Sequence, residues 1–127
     1  MPYYAHIRQD ENGETFYQTV AEHLTGTAAL CREFAADFGA EADGDLMGLA
    51  HDLGKCTDAF QKRLLEGGPV VDHTTAGMLT CIRMKRPSAA ACAAGHHGGL
   101  LDVGNLRTDR AGEATLSGRF KKGVEGH

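Results

Sequence analysis

Apolar residues recur at helical spacing from Phe16 to Phe38, with Val20, Leu24, Ala28, Cys31, Phe34 and Phe38 on one stripe. Gly39 supplies a stop. A second helix is predicted from Gly44 to Leu53, where Leu46, Leu49, Ala50 and Leu53 are apolar and Gly54 ends the run. A third, "TDAFQKRLLE", opens on Thr57, whose hydroxyl suits an N-cap, and breaks at "GGP" (Gly67 to Pro69). Asp72 has the chemistry to cap a fourth helix, "HTTAGMLTCIRMK", which Pro87 closes and which carries His73, Gly77 and Cys81 on one face. Ser88 opens a short alanine-rich helix, "AAACAAG", that delivers His96 and His97 at its end. "GGLLDVGN" reads as loop, and a weak helix is expected near "TLSGRFKK". No stretch shows convincing strand alternation, so the expected fold is all-α, with a single domain over residues 1–127.

Composition adds limits. A chain of 127 residues can bury a genuine core, and 42% hydrophobic with 24% charged residues is ordinary globular composition. No apolar run approaches the roughly 20 residues of a membrane span. The N-terminus lacks a basic-then-apolar signal, so a cytoplasmic protein with no membrane partner is expected. Cys31, Cys56, Cys81 and Cys92 show no C-x-x-C spacing and suit neither a disulfide framework nor a thiolate zinc site. Cys31, Cys81 and Cys92 fit small core positions. A formal charge of −4 is unlike a protein that grips nucleic acid through a broad basic footprint. If the chain works on a polyanion, cations must come from bound metal or from a partner.

The seven histidines matter through their placement. His23, the pair His51-Asp52, His73, and the pair His96-His97 each interrupt an apolar helix or stand at a helix end. A single interior histidine is commonly a hydrogen-bonded core residue. Burying this many imidazoles without a common partner would cost about a few kcal/mol each, and a shared cation offsets that. Imidazole and carboxylate without thiolate suit Mn, Fe, Co, Ni or Zn. Six candidate ligands are enough for one or two divalent ions, with Asp52 as the natural bridge. Two ions roughly 3.5–4 Å apart activate water and clamp the oxygens of a phosphodiester.

The order His23, His51-Asp52, His73, His96-His97 resembles the HD superfamily of metal-dependent phosphohydrolases, which implies an HD-domain helical bundle around a metal pocket. The surrounding segments "AHDLGKCTDAFQKRL", "VDHTTAG", "AGHHGGLLDVGN" and "TLSGRFKKG" are similar to the HD nuclease domain of the CRISPR-associated helicase-nuclease of type I systems. The opening "YYAHIRQDENGETFYQTVAEHL" further resembles the type I-C branch. "HDxGK" alone is shared by many HD enzymes, whereas "HDLGK…FQ…DH…GHHGGL" in that order is strongly specific. By this resemblance, His23, His51 and Asp52 hold one metal, and Asp52, His73, His96 and His97 hold a second. It also implies a metal-dependent endonuclease acting on single-stranded DNA, with a helicase domain in the same or another chain and recruitment by an RNA-guided CRISPR surveillance complex.

Asp52 and Lys55 are the expected catalytic residues; Lys55 either neutralises a phosphate oxygen or sits at a helix C-terminus for its dipole. Gly98-Gly99 either admits a nucleic-acid backbone or forms a plain loop. Arg83, Lys85 and Arg86 form a small basic cluster, expected as a solvated helix end. His6 and His127 fall outside the pattern and are expected on the surface. The resemblance implies a further aspartate on a later helix, which the chain ends before reaching, so the first metal set is expected to be the weaker. Two alternatives stay open. One is an HD phosphohydrolase acting on nucleotides or cyclic nucleotides; the other is a truncated, catalytically weak module that binds the surveillance complex as decoy or regulator.

Overall fold

A computed structural model describes residues 1–123; His127 lies outside them. Strand β1 (Tyr4–Gln9) pairs antiparallel with β2 (Thr15–Thr19), and helices follow as α1 (Val20–Ala36), α2 (Glu41–Ala50), a 3-10 turn (Leu53–Cys56), α3 (Asp58–Glu66), α4 (Thr75–Arg83), α5 (Pro87–Gly95) and α6 (Leu116–Lys122). The fold is helical, with one small sheet among the described residues. No described helix is long and apolar enough to cross a membrane.

The hairpin corrects the expectation of no strands and shortens the first helix. Its turn is built by Asp10, whose Oδ1 accepts from the backbone N–H groups of Asn12 and Glu14, both at 2.9 Å, while Gly13 takes φ +82°. Helix α1 starts at Val20 because Thr19 and Glu22 form a reciprocal capping box. Its inward stripe is Val20, Leu24, Ala28 and Ala35, whereas Phe34 and Phe38 point outward, 66% and 76% exposed.

Helix α2 packs along α1. Small residues permit this: a Cβ on Gly48 would meet the Ala28 backbone, with Ala28 N only 2.5 Å away. A core of Ala50, Met78, Cys81, Ala89, Ala90 and Ala94 joins α2, α4 and α5, with Leu46, Met47, Leu79, Leu101 and Leu116 against it. Ala5, Val20 and Leu24 form a second cluster with Leu53, which seats the hairpin on α1. Cys81 is buried, Cys31 and Cys92 are half-buried, Cys56 is exposed, and all four thiols are free.

Three contacts tie the remaining segments together. Asp72 Oδ1 accepts from the N–H of Thr74 at 3.0 Å and of Thr75 at 3.2 Å, which caps the start of α4. Arg119 on α6 donates to Thr74 Oγ1 at 3.0 Å and to the Ala94 carbonyl at 2.8 Å. In the expected basic cluster, Arg86 pairs with Asp43 at 2.6 Å across the gap to α2.

Candidate metal centre

Helix α2 ends at Ala50, so His51 and Asp52 occupy the break before the 3-10 turn instead of a continuing helix. At this break Asp52 becomes the hub of the site, only 3% exposed. Its two oxygens face different neighbours. Oδ2 lies 2.9 Å from His23 Nε2, 3.3 Å from His51 Nε2 and 2.9 Å from Lys55 Nζ. Oδ1 lies 3.1 Å from His96 Nε2 and 3.5 Å from His73 Nε2. His97 packs against both of these rings, with centroid separations of 4.2 Å to His96 and 4.9 Å to His73. The five predicted histidine ligands, drawn from four segments of the chain, thus meet around the carboxylate of the sixth.

Ring tautomers follow from the backbone. Nδ1 of His51, His73 and His96 faces the carbonyls of Gly48 (2.8 Å), Val71 (3.2 Å) and Ala93 (2.8 Å). A carbonyl only accepts, so each Nδ1 carries a hydrogen and each ring turns its Nε2 toward Asp52. His96 Nε2 lies within hydrogen-bond distance of Asp52 Oδ1, at 3.1 Å. Nε2 of His73 is buried and has no hydrogen-bond partner. A divalent cation would give that nitrogen a partner, and backbone-oriented imidazoles are the usual means of aiming a ligand at one. Asp52, His73, His96 and His97 present donor atoms within 4.8 Å of one another, as do His6, His23 and Asp52. The donor set, nitrogen with one carboxylate and no thiolate, fits Mn, Fe, Co, Ni or Zn.

Electrostatics agree with this geometry. Burial would push the Asp52 carboxyl up, but hydrogen bonds from His51, His96 and Lys55 outweigh it and hold the group far below the ordinary carboxylate range. The Asp52 hydrogen bond raises His96 above the imidazole value of 6.5, against the effect of burial. Burial lowers His6, His23 and His97, reinforced at His6 by the Lys55 charge and at His97 by His96 and His73.

Lys55 sits in the last turn of the 3-10 helix, buried and engaged by its neighbours. It is 4% exposed, and its ammonium is shared among Asp52 Oδ2 (2.9 Å), the Ala5 carbonyl (3.3 Å) and His6 Nε2 (3.3 Å), with the Phe60 ring 5.6 Å away. His6, expected on the surface outside the pattern, is exposed as expected but belongs to the cluster: it contacts Lys55 and stands edge-on to His23, ring centroids 4.8 Å apart. Gln61 secures this arrangement. It accepts from Tyr4 N–H at 2.9 Å and donates to the carbonyls of Tyr4 (2.8 Å) and Lys55 (2.7 Å), which binds β1 to the 3-10 turn.

Asp102 and Asp109 contribute nothing to the cluster. Asp109 is occupied with Thr115 and the Asn105 backbone. A separate cavity of about 410 Å³, lined by residues including Leu53, Leu79 and Arg83, contains none of the clustered histidines.

Residues 20–117 match the HD domain family. No curated protein gives a significant match to the chain. The matched span contains His23, His51, Asp52, Lys55, His73, His96 and His97, while His6 and the whole hairpin precede it. The chain belongs to the HD domain family, whose members are metal-dependent phosphohydrolases.

Proposed function

We propose that this HD domain is the nuclease of a CRISPR interference system, hydrolysing phosphodiester bonds of single-stranded DNA. The observation that carries hydrolysis is the convergence of imidazole Nε2 atoms on the two oxygens of buried Asp52. The narrower assignment rests on the ordered segments "HDLGK…FQ…DH…GHHGGL", which resemble the nuclease domain of type I helicase-nucleases. Its partners in this reading are a helicase domain, in the same or another chain, and an RNA-guided surveillance complex.

The residues divide the work. A divalent metal, when bound, polarises a phosphoryl oxygen and makes water nucleophilic at neutral pH. Asp52 anchors that ion and the imidazoles around it. The carbonyls of Gly48, Val71 and Ala93 hold the rings in the ligating tautomer. Lys55 fixes positive charge beside Asp52, which lowers the free energy of a phosphodiester gaining negative charge nearby.

A strand substrate, as opposed to a small nucleotide, is supported by the hairpin. His6 pairs with Gln18 and Arg8 with Phe16, so these four side chains lie on one sheet face. They line, with Tyr17, a cavity of about 350 Å³. Arg8 sits over the Phe16 ring at 5.3 Å from its centroid, and Phe16 is 43% exposed. The face that brings His6 to the metal cluster thus continues into a guanidinium and an exposed aromatic ring. These are the groups that take a phosphate and stack a base.

The test is incubation of circular single-stranded DNA with Mn²⁺ or Ni²⁺, comparing wild type with Asp52→Ala. Cleavage by wild type alone is expected. Turnover of cyclic nucleotides without cutting of the circle would establish the general phosphohydrolase instead. Co-purification with the surveillance complex in the absence of any cleavage would establish a non-catalytic module.

A further inference from the structure

Three of the clustered histidines reach the site from the open end of one helix pair. Only Met84 to Arg86 separate α4 from α5, so the chain turns back on itself as an αα-hairpin. Its closed end is held by that turn, where the Arg86 N–H donates to the Cys81 carbonyl at 2.9 Å. Toward the open end the helices lie close, and a Cβ on Gly77 would fall 3.6 Å from that of Ala93. His73 stands just ahead of Thr74, the N-cap of α4, while His96 and His97 follow the last residue of α5, Gly95. Helix ends leave backbone groups without intrahelical partners, so order here has to come from elsewhere in the chain.

Arg119 on α6 supplies that order. One guanidinium nitrogen, Nη1, donates both to Thr74 Oγ1 at 3.0 Å and to the Ala94 carbonyl at 2.8 Å. Thr74 adjoins His73, and Ala94 stands two residues before His96. The carbonyls ending α5 each have a partner as a result. That of Ala93 faces His96 Nδ1 at 2.8 Å, that of Ala94 takes Arg119, and that of Gly95 takes the N–H groups of Gly98 at 3.0 Å and Gly99 at 2.7 Å. A cation is also favoured beside a helix C-terminus. On the α4 side the Thr74 hydroxyl donates to Asp72 Oδ1 at 3.2 Å, and this carboxylate caps the helix. Arg119 is placed by its own short helix: Thr115 caps α6, Leu116 packs on the core, and Ser117 Oγ donates to the Val103 carbonyl at 2.8 Å. The residue lies beyond the span 20–117 matched to the HD domain family, so the tie comes from outside that span.

We propose that Arg119 is a positioning residue of the metal centre, its guanidinium cross-tying the segment that bears His73 to the segment that bears His96 and His97. The proposal rests on the metal-dependent reading above. Without the tie the open end of the hairpin spreads, while the core around Met78, Cys81 and Ala90 keeps the helices packed. Ligand constellations tolerate displacements of only about 0.5 Å, so spreading weakens metal binding before it unfolds the chain.

The test sets Mn²⁺ affinity of the full chain, by calorimetry, beside thermal unfolding of the metal-free protein, with no activity measurement required. Arg119→Met keeps the stem but donates nothing, and Thr74→Val removes the accepting hydroxyl. Each is expected to lower affinity about tenfold. Ser117→Ala loosens α6 without touching the histidine-bearing segments, and is expected to lower the melting temperature with affinity unchanged. The double variant Arg119→Met/Thr74→Val should bind no more weakly than Arg119→Met alone, because both substitutions break the same bond. If Arg119→Met does not fold, Thr74→Val measured against Ser117→Ala decides the matter. Wild-type affinity in a folded Arg119→Met or Thr74→Val, an equal affinity loss in Ser117→Ala, or multiplied losses in the double variant would each overturn the proposal while leaving metal dependence intact. No Mn²⁺ binding by wild type would overturn the metal-dependent reading and this proposal with it.

Discussion

Gly54 and His73 lie backbone to backbone. The Gly54 N–H donates to the His73 carbonyl at 3.2 Å, and a Cβ on Gly54 would fall 2.5 Å from His73 Cα. No flexible side chain is available to yield, because the obstructing atoms are main chain. Gly54→Ala is therefore expected to push the His73 segment outward. The predicted result is a stability loss of about 1–3 kcal/mol, as for other overpacked sites. Metal affinity should fall in the same variant, since His73 is displaced from Asp52. Thermal unfolding and Mn²⁺ titration of one preparation check both halves; unchanged affinity would show that His73 is not a ligand.

The hairpin face gives a prediction that separates substrate binding from chemistry. Arg8 and Phe16 touch the oligonucleotide in our account but make no contact with Asp52 among the described interactions. Arg8→Ala and Phe16→Ala should weaken a short single-stranded oligonucleotide about tenfold each, near 1.4 kcal/mol, within the range for one stacked base. Hydrolysis of bis(p-nitrophenyl) phosphate, which reaches no such subsite, should be unaffected. Equal losses on both substrates would assign the hairpin a purely structural role.

Acid sensitivity should trace in part to Asp72. Burial favours its neutral form, but hydrogen bonds from Thr75 and Thr74 outweigh that and hold the folded pKa below the ordinary value of 3.8. A depressed carboxylate stabilises the fold above the unfolded-state pKa, and this contribution disappears as pH falls through the folded value. Asp72→Ala should cost about 1 kcal/mol near neutrality, as for a lost helix cap, and progressively less below about pH 4. Melting temperatures of wild type and variant across that range are expected to converge at the acid end. A gap independent of pH would mean that the charge on Asp72 contributes nothing.

Much of this was legible in the residues. The helices were, because glycines, prolines and capping hydroxyls punctuate them: Gly39 takes φ +71°, and Thr57 Oγ1 accepts from the Phe60 N–H. The clustered histidines were legible as polar interruptions of apolar helices, and the structure brings all of them to Asp52. The hairpin was not. Ala5 is the sole fully buried residue of its two strands, so apolar alternation is weak, although Asn12-Gly13 between aromatic-rich runs was a usable turn signal. Thr19 and Glu22, spaced as a capping box, likewise marked the true start of α1. His6 was missed for the same reason as its strand: its role depends on a long-range contact with Lys55, 49 positions away, which no local spacing encodes. The role of Lys55 was half legible. Its place in "HDLGK" suggested the site, but its burial against Ala5 and His6 follows only from hairpin docking.

The measurement closest to the central claim is calorimetric titration of Mn²⁺ into the wild-type chain and into Asp52→Ala, with folding of both verified by circular dichroism. If the imidazoles are arranged around Asp52 to hold a cation, wild type binds stoichiometrically and the variant loses on the order of a hundredfold or more in affinity. Equal affinity in the two proteins, or no binding by wild type, would contradict the account.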